Sequence, residues 1–151
     1  MNENHFTKLQ RINWLISETD GVYHQASLKI GLTDSASKIL YALYTNDGSC
    51  LLSYIYKNFG ISRQTVNSAL RKLEKEGLIL LKQHSGKAKT VVLTDQGKEK
   101  ADRTVSKIVE AEIGAFESWT EEEIDTYIDL TAKYLQTLSS KVSQLPEEPR
   151  S

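Results

Sequence analysis

Residues 52–93 constrain the fold more than any other stretch of the chain. Leu52, Ile55 and Phe59 recur at spacings of three and four, a single apolar stripe that defines one short helix. Gly60 follows where a helix must end in a left-handed conformation, which a residue without Cβ adopts at little cost, and Ser62 brings a hydroxyl able to cap the next helix. In that second helix Val66, Ala69, Leu70 and Leu73 form the buried stripe, while Gln64, Asn67, Ser68, Arg71 and Lys75 fall on the opposite face. It stops at Lys75-Glu76-Gly77. Leu78-Ile79-Leu80-Leu81 is an apolar run too short for a helix and Thr90-Val91-Val92-Leu93 is β-branched, so both are expected as strands. Between them Gly86 permits a hairpin turn, and Lys87 and Lys89 leave two cations at its tip or return limb.

Helix, tight turn, helix and hairpin in this order spell a winged helix-turn-helix, a device for laying one helix in a DNA major groove. The fold class expected is mainly α with a small β-hairpin wing. The outer face of residues 62–76 has the chemistry of base recognition. Arg63 and Arg71 can fork onto guanine, Gln64 and Asn67 can pair with adenine, and the hydroxyls of Ser62, Thr65 and Ser68 fit phosphates or base edges. Lys75 extends the same face, and Lys87 and Lys89 in the wing at 84–89 are expected on a phosphate backbone or minor groove beside the recognition helix. The competing readings are a plainly solvated helix face and lysines that only protect a strand edge.

A net charge of −1 conceals an arrangement along the chain. Residues 57–103 carry eleven Lys/Arg against five acids, a net +6, whereas residues 104–151 carry four against ten, a net −6. The basic part suits a nucleic acid, and the acidic part must face away from it.

The flanks are helical and apolar. Thr120-Glu121-Glu122-Glu123 fits a capping box with carboxylates in the first turn. Ile124, Ile128, Thr131, Leu135, Leu138, Val142 and Leu145 then keep to spacings of three and four down to Pro146. One preceding helix is expected from Asp95 or Gln96 to a break near Ser118, forming an antiparallel pair with the tail. At the other end Phe6, Leu9, Ile12, Leu15 or Ile16, Val22, Tyr23 and Ala26 make another amphipathic stretch, which Gly21 can kink or split. A further helix opens at Thr33, buries Ile39, Leu40, Leu43 and Tyr44, and ends at Asn46-Asp47-Gly48. So much apolar surface exceeds what a small DNA-binding unit covers, and a second copy of the chain is the expected partner. Phe6, Leu9, Ile12, Ile128, Leu135, Leu138 and Val142 would lie in the dimer interface, setting two recognition helices one DNA turn apart on a pseudo-palindrome. The organisation expected is a dimerisation helix over 1–31, the winged unit over 32–94, C-terminal dimerisation helices over 95–145 and a disordered tail over 146–151.

No apolar run reaches membrane-spanning length, and Met1-Asn2-Glu3-Asn4-His5 lacks the basic and apolar regions of a secretory signal, so a cytoplasmic protein is expected. The lone Cys50 suits an inert, buried thiol. His5, His24 and His84 have no metal-ligand spacing. No Ser/His/Asp grouping, phosphate-cradling loop or carboxylate pair emerges, so neither an enzyme nor a cofactor is expected.

The helix order with Leu32-Thr33 opening the second helix, the run Gly60-Ile61-Ser62-Arg63-Gln64-Thr65-Val66, the Leu73-Glu74-Lys75-Glu76-Gly77-Leu78-Ile79 junction and the Leu93-Thr94-Asp95-Gln96-Gly97 step resemble the multiple antibiotic resistance regulator (MarR) family over about residues 5–145. The resemblance implies an obligate homodimer, helices from both termini at its apex, and regulation of transcription, by repression or activation, from a double-stranded operator. It places Ser62, Arg63, Gln64, Thr65, Asn67, Ser68 and Arg71 on the recognition helix and Lys87 and Lys89 in the wing. Two departures stand out. Ser85-Gly86-Lys87 replaces the family's common wing Asp-Arg pair, which removes the planar fork that enters a minor groove. Tyr56 stands where a small residue usually lets the two helices approach, which implies a looser crossing or a tyrosine turned outward. The family also implies a small aromatic effector. Trp14, Tyr23 and Tyr44, with Tyr41, Phe116 and Trp119, are the aromatics available to line its cavity, against the plainer reading that they are core. The family's peroxide sensors use a cysteine in the first helix, and Cys50 lies elsewhere.

Overall fold

A computed structural model of the chain describes residues 2–60, 62–83, 86 and 88–150. Among them the elements run α1 (Glu3–Lys29), α2 (Asp34–Thr45), β1 (Ser49–Leu51), α3 (Leu52–Asn58), α4 (Arg63–Lys75), β2 (Ile79–Gln83), β3 (Lys89–Leu93), α5 (Asp95–Arg103), α6 (Val105–Phe116) and α7 (Glu121–Ser143). They form two compact units, Met1–Val109 and Glu110–Ser151.

Short polar side chains start most of the helices. Asn2, Thr33, Ser62, Thr94 and Thr120 each accept a hydrogen bond from a backbone N–H of the first turn of α1, α2, α4, α5 and α7, satisfying donors that no helical carbonyl reaches. The end of α4 is equally defined. Gly77, at φ +77°, turns the chain left-handed, the Leu78 N–H bonds the Leu73 carbonyl at 3.0 Å and the Gly77 N–H bonds Glu74 at 3.0 Å. This is the Schellman closure, and it delivers the chain straight into the wing.

The core of the first unit joins α2 (Ile39, Leu40, Leu43), α3 (Ile55), α4 (Val66, Leu70, Leu73), the sheet (Ile79, Val91, Leu93) and the α5–α6 stretch (Ala101, Val105). Ile39, Leu40, Leu43 and Ile55 are fully buried, each contributing about 1.5–3 kcal/mol of transfer free energy. The helix-turn-helix is thus gripped from behind, with the face of α4 opposite Val66 and Leu70 left to solvent.

The sheet has the order β1-β3-β2, all antiparallel. The wing strands pair Ile79 with Leu93 and Gln83 with Lys89. Ser49–Leu51 was not expected as a strand; three residues are too few to show alternation, and pairing of Cys50 with Val91 is what holds it. In the same way Gly21 does not interrupt α1, which runs continuously for 27 residues.

The single helix expected from residue 95 to the break near Ser118 is two. Thr104 leaves helical geometry (φ −121°, ψ −87°), its hydroxyl donates to the Lys100 carbonyl at 2.6 Å and that of Ser106 to the Asp102 carbonyl, competition of the kind that bends helices. The expected boundary at 95 also moves. Ala101, Val105 and Ile108 are buried, so α5 and the start of α6 belong to the winged unit. In the second unit the α6–α7 turn is held by aromatic rings: Phe116 meets Trp119 edge-on at 5.0 Å, and Trp119 meets Tyr127 at 5.7 Å. Beyond that turn α7 buries no residue. Residues 146–150 have no regular secondary structure.

Candidate nucleic-acid interface

Gly60, at φ +61°, turns the chain between α3 and α4, and the Ser62 Oγ accepts from the Thr65 N–H at 3.2 Å. The same oxygen lies 2.9 Å from the Thr65 hydroxyl. Ser62 and Thr65, expected as phosphate or base contacts, are therefore first a mutual cap that fixes the start of α4. Gln64, Ser68, Arg71, Lys72 and Lys75 are exposed on the side away from Val66, Leu70 and Leu73, and Arg63 is exposed in the first turn. No acidic side chain of α4 interrupts this surface before Glu74, so a phosphate approaching residues 62–73 meets cations, hydroxyls and amides. Lys72 belongs with this set although the apolar spacing did not single it out.

Asn67 departs from the expectation of a free amide. It is half-buried, and its Oδ1 accepts a hydrogen bond from the Tyr56 hydroxyl. Nor is Tyr56 turned out of the helix contact. Its ring packs against the core, and the Arg63 guanidinium lies over the ring face, 4.8 Å from its centroid. Tyr56 is the functional candidate that sequence reasoning missed, because its partner is eleven residues on, across a turn whose crossing geometry no periodicity reveals.

The wing supports less description. His84, Ser85 and Lys87, part of the expected contact at 84–89, lie outside the described residues. Gly86 has φ +72°, its carbonyl accepts from Gln83 Nε2 at 2.6 Å, and Lys89 is exposed at the start of β3. The remaining candidates separate clearly. Phe6, Leu9 and Ile12 on α1 and Ile128, Leu135, Leu138 and Val142 on α7 are all exposed, Leu135 at 68%. Trp14, Tyr23 and Tyr44 do not gather around one cavity. Tyr44 packs on the core, while Trp14 and Tyr23 sit exposed on α1, nine residues and so about 13 Å apart along the helix axis. A shallow depression of ≈ 310 Å³ beside Trp14 is lined by Ser17, Glu18, Gly21, Val22 and Gln25, without either tyrosine. Cys50 is half-buried, and desolvation pushes its thiol above the ordinary range.

Comparison with known proteins bears on this geometry. The sequence profile of the MarR family matches residues 30–87, from the end of α1 into the wing. YwhA, an uncharacterized HTH-type transcriptional regulator of Bacillus subtilis (strain 168), is 31% identical over 100 residues, 65% of this chain and 71% of the relative. The chain belongs to the MarR family of transcription regulators. MarR-family folds cover it almost end to end. NMB1585, a MarR family regulator from Neisseria meningitidis, superposes with a TM-score of 0.80 over 91% of this chain and 97% of its own at 19% identity. A putative MarR family regulator from Listeria monocytogenes, solved in complex with 26mer DNA, gives 0.69 over 94% and 97% at 21% identity. These likenesses carry the fold, and the relatives are regulators rather than enzymes. Among the described residues, no helix of this MarR-family chain is long and apolar enough to cross a membrane.

Proposed function

We propose that this MarR-family chain acts in the cytoplasm as a homodimeric, sequence-specific repressor, with α4 in the major groove of a pseudo-palindromic operator and the wing on the adjacent backbone. The observation that carries the reading is the outward face of α4. Arg63, Gln64, Ser68, Arg71, Lys72 and Lys75 stand exposed on a helix whose other face is locked into the core and whose first turn is capped from within. Such a face offers forked, amide and point-charge donors to base edges and phosphates. The DNA-bound Listeria protein of the same fold lends support.

Support for two copies comes from the ends. Helix α1 leaves Phe6, Leu9 and Ile12 exposed, and helix α7 by itself leaves Tyr127, Ile128, Leu130, Tyr134, Leu135, Leu138 and Val142 exposed, apolar side chains that a partner would cover. A self-complementary contact across a two-fold axis covers them and sets two copies of α4 about 34–36 Å apart, the repeat of B-DNA. No effector forms part of this reading, since Trp14, Tyr23 and Tyr44 do not converge.

The test is selection of bound duplexes from a random pool, with the mass of the free protein measured by sedimentation. The proposal expects a dimer and an inverted-repeat consensus whose half-sites are one helical turn apart. A monomer that enriches no sequence, or one that binds a protein partner and ignores every duplex, would refute it in favour of an interaction module.

A further inference from the structure

Tyr56 joins the two helices of the turn through one side chain that does three things. Its ring is part of the packing around the core, its face holds the Arg63 guanidinium, and its hydroxyl donates to Asn67 Oδ1. The third contact bears on specificity. A carboxamide pairs with adenine by using both ends at once, the oxygen accepting from the N6 amino group and the nitrogen donating to N7. In this chain the oxygen of Asn67 is already engaged. Its second lone pair remains, but the amide plane is fixed by a bond to a ring that is itself packed in place, and it cannot turn to lay both ends on one base. The group of Asn67 that stays uncommitted for a ligand is Nδ2 with its hydrogens.

We infer that Tyr56 is a positioning residue that makes Asn67 a donor-only reader, selecting a base whose major-groove edge offers acceptors and no donor, guanine or thymine, over adenine, whose N6 amino group would face the amide unpaired. The inference rests on the proposal that α4 lies in the major groove. It leaves Gln64, exposed on the same helix, as the α4 amide suited to adenine. It also makes the tyrosine hydroxyl matter to sequence choice although it touches no base. Arg63 is held by the same ring, but through its face, so removing the hydroxyl separates the two effects.

The experiment uses the full chain as wild type, Tyr56→Phe, Asn67→Ala and the double variant, with duplexes drawn from the random pool and then a panel carrying each base pair in turn. Phenylalanine keeps the ring, its packing and the seat for Arg63, so the variant should fold with a small loss of stability from the missing hydrogen bond, and its salt dependence on random duplex, set by phosphate contacts, measures any general effect on binding against which the change in base preference is read. At the position where Asn67→Ala flattens the preference, wild type should favour guanine or thymine. Tyr56→Phe should lose about three- to tenfold of that preference, the worth of one hydrogen bond, and gain tolerance of adenine. The double variant should be no worse there than Asn67→Ala alone, the signature of two residues acting as one unit.

Wild-type protein with no duplex preference would defeat the DNA-reading proposal itself. Selective wild type whose preference at that position survives Tyr56→Phe, or selects cytosine or adenine there, would overturn only the role of Tyr56. So would an Asn67→Ala variant that flattens no position, or losses that add in the double variant.

Discussion

Replacing Gly97 with alanine tests how the wing is anchored to the helix-turn-helix. A Cβ at Gly97 would lie 1.9 Å from the Leu78 carbonyl oxygen, 3.0 Å from its carbon and 3.1 Å from Leu93 Cδ2. The first contact is with backbone, which no rotamer change relieves, so α5 must move by about 1.5 Å away from the start of the wing to restore ordinary van der Waals distance. That movement works against the Thr94 N–H bond to the Leu78 carbonyl (3.1 Å) and the Thr94 hydroxyl bond to the Gly77 carbonyl (2.6 Å). Overpacking costs about 1–3 kcal/mol and each weakened hydrogen bond about 0.5–1.5 kcal/mol, so Gly97→Ala should destabilise by about 2–6 kcal/mol. This is a large share of the roughly 5–15 kcal/mol that holds a typical domain. Urea unfolding followed by circular dichroism, at one fixed protein concentration, measures it as a lower midpoint with unchanged slope. Gly21→Ala is the internal control. Gly21 lies inside α1 with nothing within 4 Å of its would-be Cβ, and the exchange should stabilise by about 0.5–1 kcal/mol. Equal effects of the two substitutions, or a Gly97→Ala midpoint indistinguishable from wild type, would refute the anchoring argument.

Three further outcomes are expected. Ser62→Ala removes the acceptor for the Thr65 N–H and should lower the free energy of unfolding in urea by about 1 kcal/mol while weakening binding to every duplex, since the start of α4 frays; unchanged stability would show that the cap contributes nothing. Cys50, half-buried with its thiol pushed up by desolvation, should react with maleimide far more slowly than a free thiol at neutral pH and should quicken as pH rises; rapid labelling of folded protein at pH 7 would contradict that placement. Leu135→Glu combined with Leu138→Glu on α7, where both side chains are exposed in the single chain, should convert a sedimenting dimer to a monomer and cost at least tenfold in operator affinity; a dimer that survives both charges would move the interface elsewhere.

The parts of the fold that were legible in the sequence are those governed by local chemistry. Ser62, Thr33 and Thr120 cap where their positions before apolar stripes said they would, and Gly60 and Gly77 take the positive φ that ends a helix. The buried stripe of α4 follows from spacing alone. What escaped was set by contacts between distant segments. The strand at Ser49–Leu51 exists through its ladder with β3. Thr104 breaks a periodic stretch because side-chain hydroxyls compete for its carbonyls, and Ala101 and Val105 join the head's core although they sit in what reads as a dimerisation helix. Spacing assigned Asn67 to the recognition face without revealing its bond to Tyr56, which depends on how steeply two helices cross. Trp14 and Tyr23 are exposed on α1 while Tyr44 packs on the core, for the same reason: residue type marks a candidate, and packing decides where it sits.

The central claim is that α4 distinguishes one duplex from another through its exposed face. The most direct measurement is the ratio of affinities for the selected operator and a random duplex, in wild type, Arg71→Ala and Lys75→Ala, across a range of salt. The account predicts that Arg71→Ala collapses the ratio by about 5- to 150-fold, the worth of one base contact, while Lys75→Ala weakens both duplexes alike and lowers the salt slope by about one. Equal losses on operator and random duplex for Arg71→Ala, with the ratio intact, would contradict it.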